Sequence, residues 1–237
     1  MQLAARQNVW SPGAVYGNLT VISVSTTDVY RRVIIVSGTL APGRASVTVD
    51  WGDGSRQVLT ASFYNLAHDY PRAGAWKIRI SDDLSSFGLT RGGQDAERYK
   101  RRFVELNSVG LRVTSLPTEG FQHLALRGRL EFPSVTYIGG YCFGSTSLAT
   151  EFCFPSLLRV EPNSFYCGPS PTRFVVDNAV EIPSYFADYY ATPLDDMFIR
   201  SKSRAQIRAM SGFPFGQRAE TRFHGSDGIV LGNGSFV

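Results

Sequence analysis

The stretch FPSVTYIGGYCF, residues 132–143, suggests the fold because parts of it return at a fixed spacing of 22 residues. Phe154-Pro155-Ser156 repeats Phe132-Pro133-Ser134 at that distance. Two apolar columns follow the same period, with the last phenylalanine arriving one residue early. The aliphatic column is Leu116, Ile138, Val160 and Ile182, and the phenylalanine column is Phe121, Phe143, Phe165 and Phe186. A period in the twenties is typical of a solenoid, whose units close a core only by stacking on one another.

The longer text FPSVTYIGGYCFGSTSL, residues 132–148, resembles a BspA-type leucine-rich repeat, L-P-x-x-[VL]-x-x-I-x-x-x-x-F-x-x-x-x-x-L. The resemblance covers about residues 103–200, with few units and with Phe or Val where the family prefers Leu. It implies that a short strand begins each unit and that the phenylalanine lies on a helical or irregular return. The segments GFPFG, residues 212–216, and FHGSDG, residues 223–228, resemble caps that close such repeats in prophage-borne and gut-bacterial proteins.

The N-terminal part has a different pattern, made of short β-branched segments separated by turn residues. Residues 45–51 alternate apolar and polar side chains and run into Gly52-Asp53-Gly54. Residues 56–63 read as a single returning strand, and residues 74–81 place Trp76, Ile78 and Ile80 on one face. Short strands with a turn about every ten residues predict a β-sandwich.

The run VTVDWGDG, residues 47–54, and the later His68, Tyr70 and Gly74 resemble a PKD domain. That family is an immunoglobulin-like sandwich with a W-G-D-G turn and an H-x-Y-x-x-x-G strand entry. The resemblance covers about residues 16–84 and carries over at Trp51, Gly52, Asp53, Gly54, His68, Tyr70 and Gly74. The residues themselves agree, because glycines permit unusual turn angles, Asp53 can bond turn amides and Trp51 can fill a core between sheets.

Together these patterns predict a mainly β chain with short helices, an immunoglobulin-like β-sandwich followed by a short leucine-rich-repeat solenoid. The predicted parts are the sandwich with its N-terminal arm (1–87), a junction with a short helix (88–102), the solenoid (103–200) and a cap (201–237). In the cap, Ser203 is expected to begin a helix, Ile207 to face inward, and an Asp-Gly turn to join a hairpin. The solenoid shows no polar cap at its N-terminal end, so we expect the sandwich or the junction helix to cover it.

Composition narrows the classes of function. Charged residues make up only 19% of the chain, and the net charge of +4 is spread along it, which disfavours a nucleic-acid interface. No stretch approaches 18 consecutive apolar residues, so no membrane span is expected. Residues 1–10 lack the basic start and apolar run of a secretory signal peptide.

No catalytic or cofactor motif stands out. His224, Ser226 and Asp227 are the residue types of a catalytic triad, but they lie too close together on one turn to align. Glutamates recur along the solenoid at nearly the repeat spacing, and surface polarity explains them: Glu105, Glu119, Glu131, Glu151, Glu161 and Glu181. We therefore expect no enzyme, no metal and no cofactor. A calcium site at Asp50, Asp53, Asp82 and Asp83 stays open as a minor alternative, although no loop shows alternating ligand spacing.

The candidate ligand-binding residues are six tyrosines that exceed what the two columns need. Tyrosine suits binding surfaces because it combines a large apolar ring with a polar tip at low entropic cost. The six are Tyr137, Tyr141, Tyr166, Tyr185, Tyr189 and Tyr190. The competing interpretation is that half of them merely cover the columns.

Both resemblances imply adhesion, receptor binding or structural display. The leading hypothesis is a non-enzymatic phage or prophage virion component, of fibre or decoration type, that binds a protein or a surface glycan and contacts other virion proteins. The alternatives are a bacterial cell-surface or secreted adhesin and, as a minor one, a fragment of a glycan-processing enzyme. The expected location is the virion or the cell exterior, and the sequence leaves the oligomeric state open, a homo-oligomer included.

Overall fold

The structure, a computed structural model, describes residues 19–26, 28, 31–81, 84–90, 103–108, 113–122, 125–166, 173–184, 186 and 194–237. Within these ranges the chain is mainly β, and its one helix is α1, Arg204–Arg208. The first seven strands are β1 (Leu19–Thr26), β2 (Arg32–Leu40), β3 (Val47–Asp50), β4 (Arg56–Leu59), β5 (Phe63–Asp69), β6 (Gly74–Ser81) and β7 (Leu84–Thr90). The next eight are β8 (Phe103–Ser108), β9 (Ser115–Leu116), β10 (Ala125–Glu131), β11 (Tyr137–Ile138), β12 (Ser147–Cys153), β13 (Arg159–Val160), β14 (Arg173–Val175) and β15 (Asp196–Phe198). The last two are β16 (Arg222–Gly225) and β17 (Gly228–Leu231).

These strands form two sheets that extend through both parts of the chain. Sheet A has eleven strands in the order β17-β16-β15-β14-β12-β10-β8-β1-β6-β3-β4, and sheet B has six in the order β13-β11-β9-β7-β2-β5. Strands β1 to β7 pair antiparallel among themselves, whereas the strands from β8 to β16 pair parallel with one another. The two patterns meet where β1 pairs with β8 and where β7 pairs with β9.

The antiparallel part follows the alternation seen in its sequence. In β3, Val47 and Val49 are buried while Thr48 and Asp50, which alternate with them, are half-buried. Ile22 of β1 lies opposite Ile78 of β6, and both are fully buried. The single strand expected over residues 56–63 was wrong, because the structure has β4 and β5 separated by bends at Thr60 and Ala61.

The parallel part is a solenoid-like stack of coils. Each coil crosses sheet A, bends at a Phe-Pro-Ser type corner, crosses sheet B with a very short strand and returns through a turn. The return carries the phenylalanine column, and in the described residues it is made of turns with no helix. Its backbone bonds to the next coil, from Phe121 N to Cys142 O at 2.7 Å and from Phe143 N to Ser164 O at 2.7 Å. Coil-to-coil bonding therefore continues between the two sheets.

The core of the stack includes the two columns, the inner row of sheet A and the corner residues Phe132, Phe154 and Val176. All eight column residues are buried. Phe121 and Phe143 stack at 5.4 Å between ring centroids, and Phe143 and Phe165 stack at 5.0 Å. In sheet A, Phe152, Phe174, Met197 and Phe223 lie in register on adjacent strands and are also buried.

The junction between the two parts uses the same contacts as the coils. Thr136 N donates to Thr114 O at 2.7 Å, and one step earlier Thr114 N donates to Ser85 O of β7 at 2.8 Å. The Phe87 ring lies 5.7 Å from that of Phe121, at the start of the phenylalanine column. Strand β7 thus pairs with the first coil in the way that the coils pair with one another. It continues past the predicted sandwich boundary at residue 87. The expected junction helix, near Arg98, lies outside the described residues.

The C-terminal segment closes the other end of sheet A. Ser203 caps α1 through a capping box with Gln206, and Ile207 is buried, as their sequence positions predicted. Strand β16 adds to β15 in parallel, and β17 folds back on β16 through the Ser226-Asp227 turn. In the described part of the chain, no helix has the length and apolar character needed to cross a membrane.

Candidate functional site

The W-G-D-G turn is a closed hydrogen-bonded unit. The buried Trp51 indole stacks on the His68 imidazole at 4.7 Å, and His68 Nε2 lies 2.8 Å from Asp53 Oδ2. Ser55 donates to Asp53 Oδ1 from its backbone N at 3.0 Å and from Oγ at 2.6 Å. Burial opposes ionisation of Asp53, but the hydrogen bonds from Ser55 and His68 outweigh it and lower the pKa of that carboxyl to about 2. These hydrogen bonds explain why the Asp53 carboxylate is ionised and fixed in place, so no bound ligand is needed to explain it.

The remaining motif residues brace this turn. Tyr70 is buried, and its hydroxyl donates to the Trp51 carbonyl at 2.9 Å. Gly52 has φ of 84°, and a side chain there would come within 2.5 Å of the Lys77 carbonyl oxygen. Gly54 also has positive φ, at 99°, in open space. Gly74 opens β6 beside the Trp76 ring.

Of the four residues of the calcium alternative, the structure describes Asp50 and Asp53, and both carboxylates have partners within the protein. The Asp50 carboxylate accepts from Gly52 N at 2.9 Å and from Arg56 Nε at 3.1 Å. Asp82 and Asp83 lie outside the described residues. Across the described ranges, no group of three or more His, Cys, Asp or Glu side chains is placed to hold a metal ion.

The triad residue types of the C-terminal hairpin have other partners. His224 Nε2 lies 2.6 Å from Asp196 Oδ1, and the His224 ring stacks on Phe198 at 4.2 Å. Asp227 Oδ1 accepts from the backbone N of Arg204 at 2.7 Å, at the start of α1. These contacts stabilise the cap and orient neither group toward Ser226.

Two of the six candidate tyrosines meet on the turn edge, the surface formed by the coil returns. Tyr141 and Tyr166 are 37% and 42% exposed, and their rings contact edge to face at 5.6 Å. Asn163 Nδ2 lies 3.4 Å from the Tyr141 hydroxyl. Position 144, one period before Tyr166, is a buried glycine, so no side chain from the neighbouring coil fills that position. The result is an exposed aromatic pair with an amide beside it.

The backbone that presents Tyr141 repeats from coil to coil. Glu119, Tyr141 and Asn163 occupy equivalent positions and have φ of 58°, 55° and 60°. Residues other than glycine rarely adopt this left-handed conformation, because Cβ crowds the following carbonyl oxygen. The stack enforces this turn geometry in each coil, which fixes the direction in which Tyr141 leaves the backbone.

Tyr137 lies elsewhere, on the outer face of sheet B beside a groove of about 350 Å³. We name this the sheet B groove. It is lined by the column residues Val160 and Ile182, by Pro162 and Pro183, and by four polar residues, Arg159, Glu161, Glu181 and Ser211. The Tyr137 hydroxyl donates to Glu161 Oε1 at 3.4 Å. Burial, followed by the Glu161 charge, raises the pKa of the Tyr137 phenol. The phenol therefore favours its protonated form, which donates to Glu161 in the groove lining.

An arginine bridges two glutamates in the sheet B groove. Arg159 Nη2 lies 3.0 Å from Glu161 Oε1, and Arg159 Nε lies 3.3 Å from Glu181 Oε2. The two glutamates come from successive coils, since Arg159 and Glu181 form a parallel bridge. We refer to Arg159, Glu161 and Glu181 as the groove triplet.

Sequence reasoning missed the groove triplet because it treated the glutamates as surface polarity. A signal was present in the outer column that immediately precedes the aliphatic column: Ser115, Tyr137, Arg159 and Glu181. Consecutive members of that column lie side by side in sheet B. Recognising it requires knowing that the strand of each coil pairs in register with the next.

Three of the six candidate tyrosines, Tyr185, Tyr189 and Tyr190, lie outside the described residues. Comparisons with protein-family models, with curated proteins and with solved structures find no match to this chain. The candidate surfaces therefore rest on their own geometry.

Proposed function

We propose that this protein is a non-enzymatic binding or display module, a phage or prophage virion component of fibre or decoration type. The observation that carries the proposal is the Tyr141–Tyr166 pair, exposed at the turn edge of a rigid stack. Its ligand is a protein or a surface glycan, and other virion proteins would hold the chain in place. The location that follows is the virion or the extracellular surface.

The proposed architecture is a PKD-like, immunoglobulin-like sandwich followed by BspA-type leucine-rich repeats. Two observations support the first assignment: the Trp51, His68 and Tyr70 contacts, and the division of β1 to β7 into four strands in sheet A and three in sheet B. Constant-type immunoglobulin domains divide their strands in the same way. The buried columns and the parallel pairing of short strands support the second assignment.

Energetics favour binding at the turn edge. Tyrosine pairs supply large contact area with few rotatable bonds, so ordering them on binding costs little entropy. The Tyr141 backbone is already fixed by the coil geometry described above. A pre-organised aromatic pair beside the Asn163 amide can offer both apolar contact and a polar anchor.

The test is binding of the fluorescently labelled chain to a panel of intact Gram-negative and Gram-positive bacterial cells, measured by flow cytometry. We expect the double variant Y141S/Y166S to lose most of the binding. The matched control is Tyr64→Ser, because Tyr64 is 78% exposed but lies on β5, away from the coils. Equal loss in both variants, or no loss in the double variant, would contradict the role of the turn edge.

The virion assignment needs a separate measurement. Mass spectrometry of purified phage particles from the source strain should detect peptides of this chain at structural stoichiometry. Detection in the cell-surface or culture-supernatant fraction instead would favour the bacterial adhesin alternative.

A further inference from the structure

The outer face of sheet B carries a second polar surface, the sheet B groove, which is separate from the turn edge. Its volume of about 350 Å³ lies at the lower end of the range for ligand pockets, about 300–1,000 Å³. The floor comes from β13 and the segment around Glu181, and Ser211 of the cap contributes to the wall. The groove therefore depends on two coils and the cap together.

The groove triplet has unused hydrogen-bonding capacity. Arg159 has five N–H donors in a planar fork, and its two ion pairs involve only Nη2 and Nε. Glu161 and Glu181 each bond Arg159 through one carboxylate oxygen, Oε1 and Oε2 respectively. Among the contacts of the described residues, the second oxygen of each carboxylate has no partner. Donors and acceptors therefore lie side by side at the groove surface.

The charge of the triplet restricts what can bind. Two carboxylates and one guanidinium sum to a net charge of −1, which disfavours phosphate, sulfate or an acidic sugar. A cation would compete with Arg159, which already contacts both carboxylates. The complementary group is neutral and both donates and accepts hydrogen bonds over a short distance. Hydroxyl groups do this, and adjacent hydroxyls of a sugar ring offer donors and acceptors to neighbouring carboxylate and guanidinium groups.

The rest of the lining suits the apolar face of a sugar ring. Pro162 and Pro183 present C–H surface beside the triplet. Tyr137 is not itself a lining residue, but its hydroxyl donates to Glu161 and helps to position that carboxylate. Mostly apolar walls with a few fixed polar groups are the usual composition of a small-ligand site.

We propose that the sheet B groove binds a neutral saccharide, through its hydroxyl groups, at Arg159, Glu161 and Glu181. This inference rests on the proposed binding function and adds a ligand class and a place distinct from the turn edge. The arginine fork donates to ring hydroxyls, the outer carboxylate oxygens accept from them, and the prolines pack against the ring.

The experiment is a glycan array that carries neutral and anionic oligosaccharides, probed with the full-length labelled chain. We expect binding to a subset of neutral glycans. Arg159→Gln removes the charged fork and should raise the half-saturating concentration about tenfold or more, the usual effect of losing hydrogen bonds to a charged group. Glu181→Gln, at a side chain 67% exposed, should weaken binding without affecting the fold.

The matched control is Arg173→Gln. Arg173 is similarly exposed and also pairs with a glutamate, Glu151 at 3.5 Å, but on sheet A. Its binding curve should coincide with that of the wild type. Binding restricted to anionic glycans, binding that survives Arg159→Gln, or an array without signal would each overturn the inference.

The two proposals fail separately. If cell binding depends on Tyr141 and Tyr166 while the array stays blank, the groove inference is wrong and the proposed function stands. If array binding depends on Arg159 while the wild type binds no cells, the groove inference stands and the turn-edge proposal is wrong.

Discussion

The antiparallel part and the coils share two sheets but are stabilised in different ways. In the antiparallel part, single contacts that occur once, such as Trp51 on His68 and Tyr70 to the Trp51 carbonyl, hold a polar turn against the core. In the coils the same contact recurs in each unit, as in the phenylalanine column. A defect in a coil therefore affects the stacking of its neighbours, whereas a defect in the W-G-D-G turn stays local.

At the boundary between the two parts, the parallel strand pairing of the coils continues into the antiparallel part. Strand β7 belongs to the antiparallel part by its pairing with β2, yet toward the coils it pairs in parallel with β9. The exposed end of a parallel stack has unpaired backbone groups and apolar side chains, which promote aggregation. Strand β7 and the Phe87 ring cover that end.

The largest effect is expected from separating the parts. We predict that residues 103–237 expressed alone aggregate or melt without cooperativity, because the partners of Thr114 and Phe121 on β7 are lost. Residues 1–90 should remain soluble, since they retain Trp51, Tyr70 and all of β7. Size-exclusion chromatography and thermal melting of each fragment are the measurements.

Mixing the two fragments gives the matching control. If β7 is the cover, adding residues 1–90 should bring residues 103–237 back into a soluble, cooperatively melting complex. A fragment 103–237 that is monomeric by itself and melts like the intact protein would show that the two parts are independent.

A smaller but still large effect is expected inside the stack. Phe143 is fully buried, and its ring contacts those of Phe121, Phe132, Phe152, Phe154 and Phe165. Phe143→Ala should lower the free energy of unfolding by about 3–5 kcal/mol, the usual cost of deleting a buried aromatic ring. Urea denaturation measures it. Phe236→Ala, at a ring 49% exposed, is the control and should cost about 1 kcal/mol or less.

The coil core could be predicted from the sequence because its signal is periodic and local. The spacing of 22 residues places seven of the eight column residues without any knowledge of pairing, Phe186 arrives one residue early, and all eight are buried. The W-G-D-G turn could be predicted because glycine and aspartate have specific conformational and hydrogen-bonding roles there. Both signals are contained in short stretches of chain.

Sheet continuity and the sheet B groove could not be predicted in this way. That β1 pairs with β8 and β7 with β9 depends on which strand edges remain free after both parts fold, which residue order does not encode. The groove triplet likewise joins residues 22 apart, Arg159 and Glu181, whose contact exists only if the coils stack in register. Of the described candidate tyrosines, only Tyr141 and Tyr166 are in ring contact with each other, and they come from adjacent coils.

The boundary itself can be tested with one methyl group. A Cβ at Gly88 of β7 would lie 2.8 Å from Gly120 Cα and 2.9 Å from Gly120 O, both backbone atoms of the first coil. Gly88→Ala should therefore force the two parts apart and cost about 1–3 kcal/mol, as overpacking does. The control is Gly140→Ala, where the nearest atom, Pro162 O, is 3.4 Å away. A neutral Gly88→Ala in urea denaturation would mean that the boundary is loosely packed.

The smallest effect tests whether the W-G-D-G turn acts locally. It is a dependence of the free energy of unfolding on pH. The pKa of Asp53 is lowered from 3.8 to about 2 in the folded chain, so the folded state favours the ionised carboxylate. That stabilisation is fully present above about pH 4 and is lost as the pH falls toward 2, because the unfolded chain then binds the proton more readily. Its full size is about 2 kcal/mol, since each pKa unit corresponds to about 1.4 kcal/mol. Asp53→Asn should make the urea midpoint less sensitive to pH between 4 and 2 than in the wild type, and Ser55→Ala, which removes one of the donors, should give an intermediate slope. Coinciding slopes for the three proteins would mean that Asp53 does not carry this pH dependence. If Phe143→Ala costs a different free energy in the Asp53→Asn background than in the wild type, the turn is coupled to the coils and is not the local element that its contacts indicate.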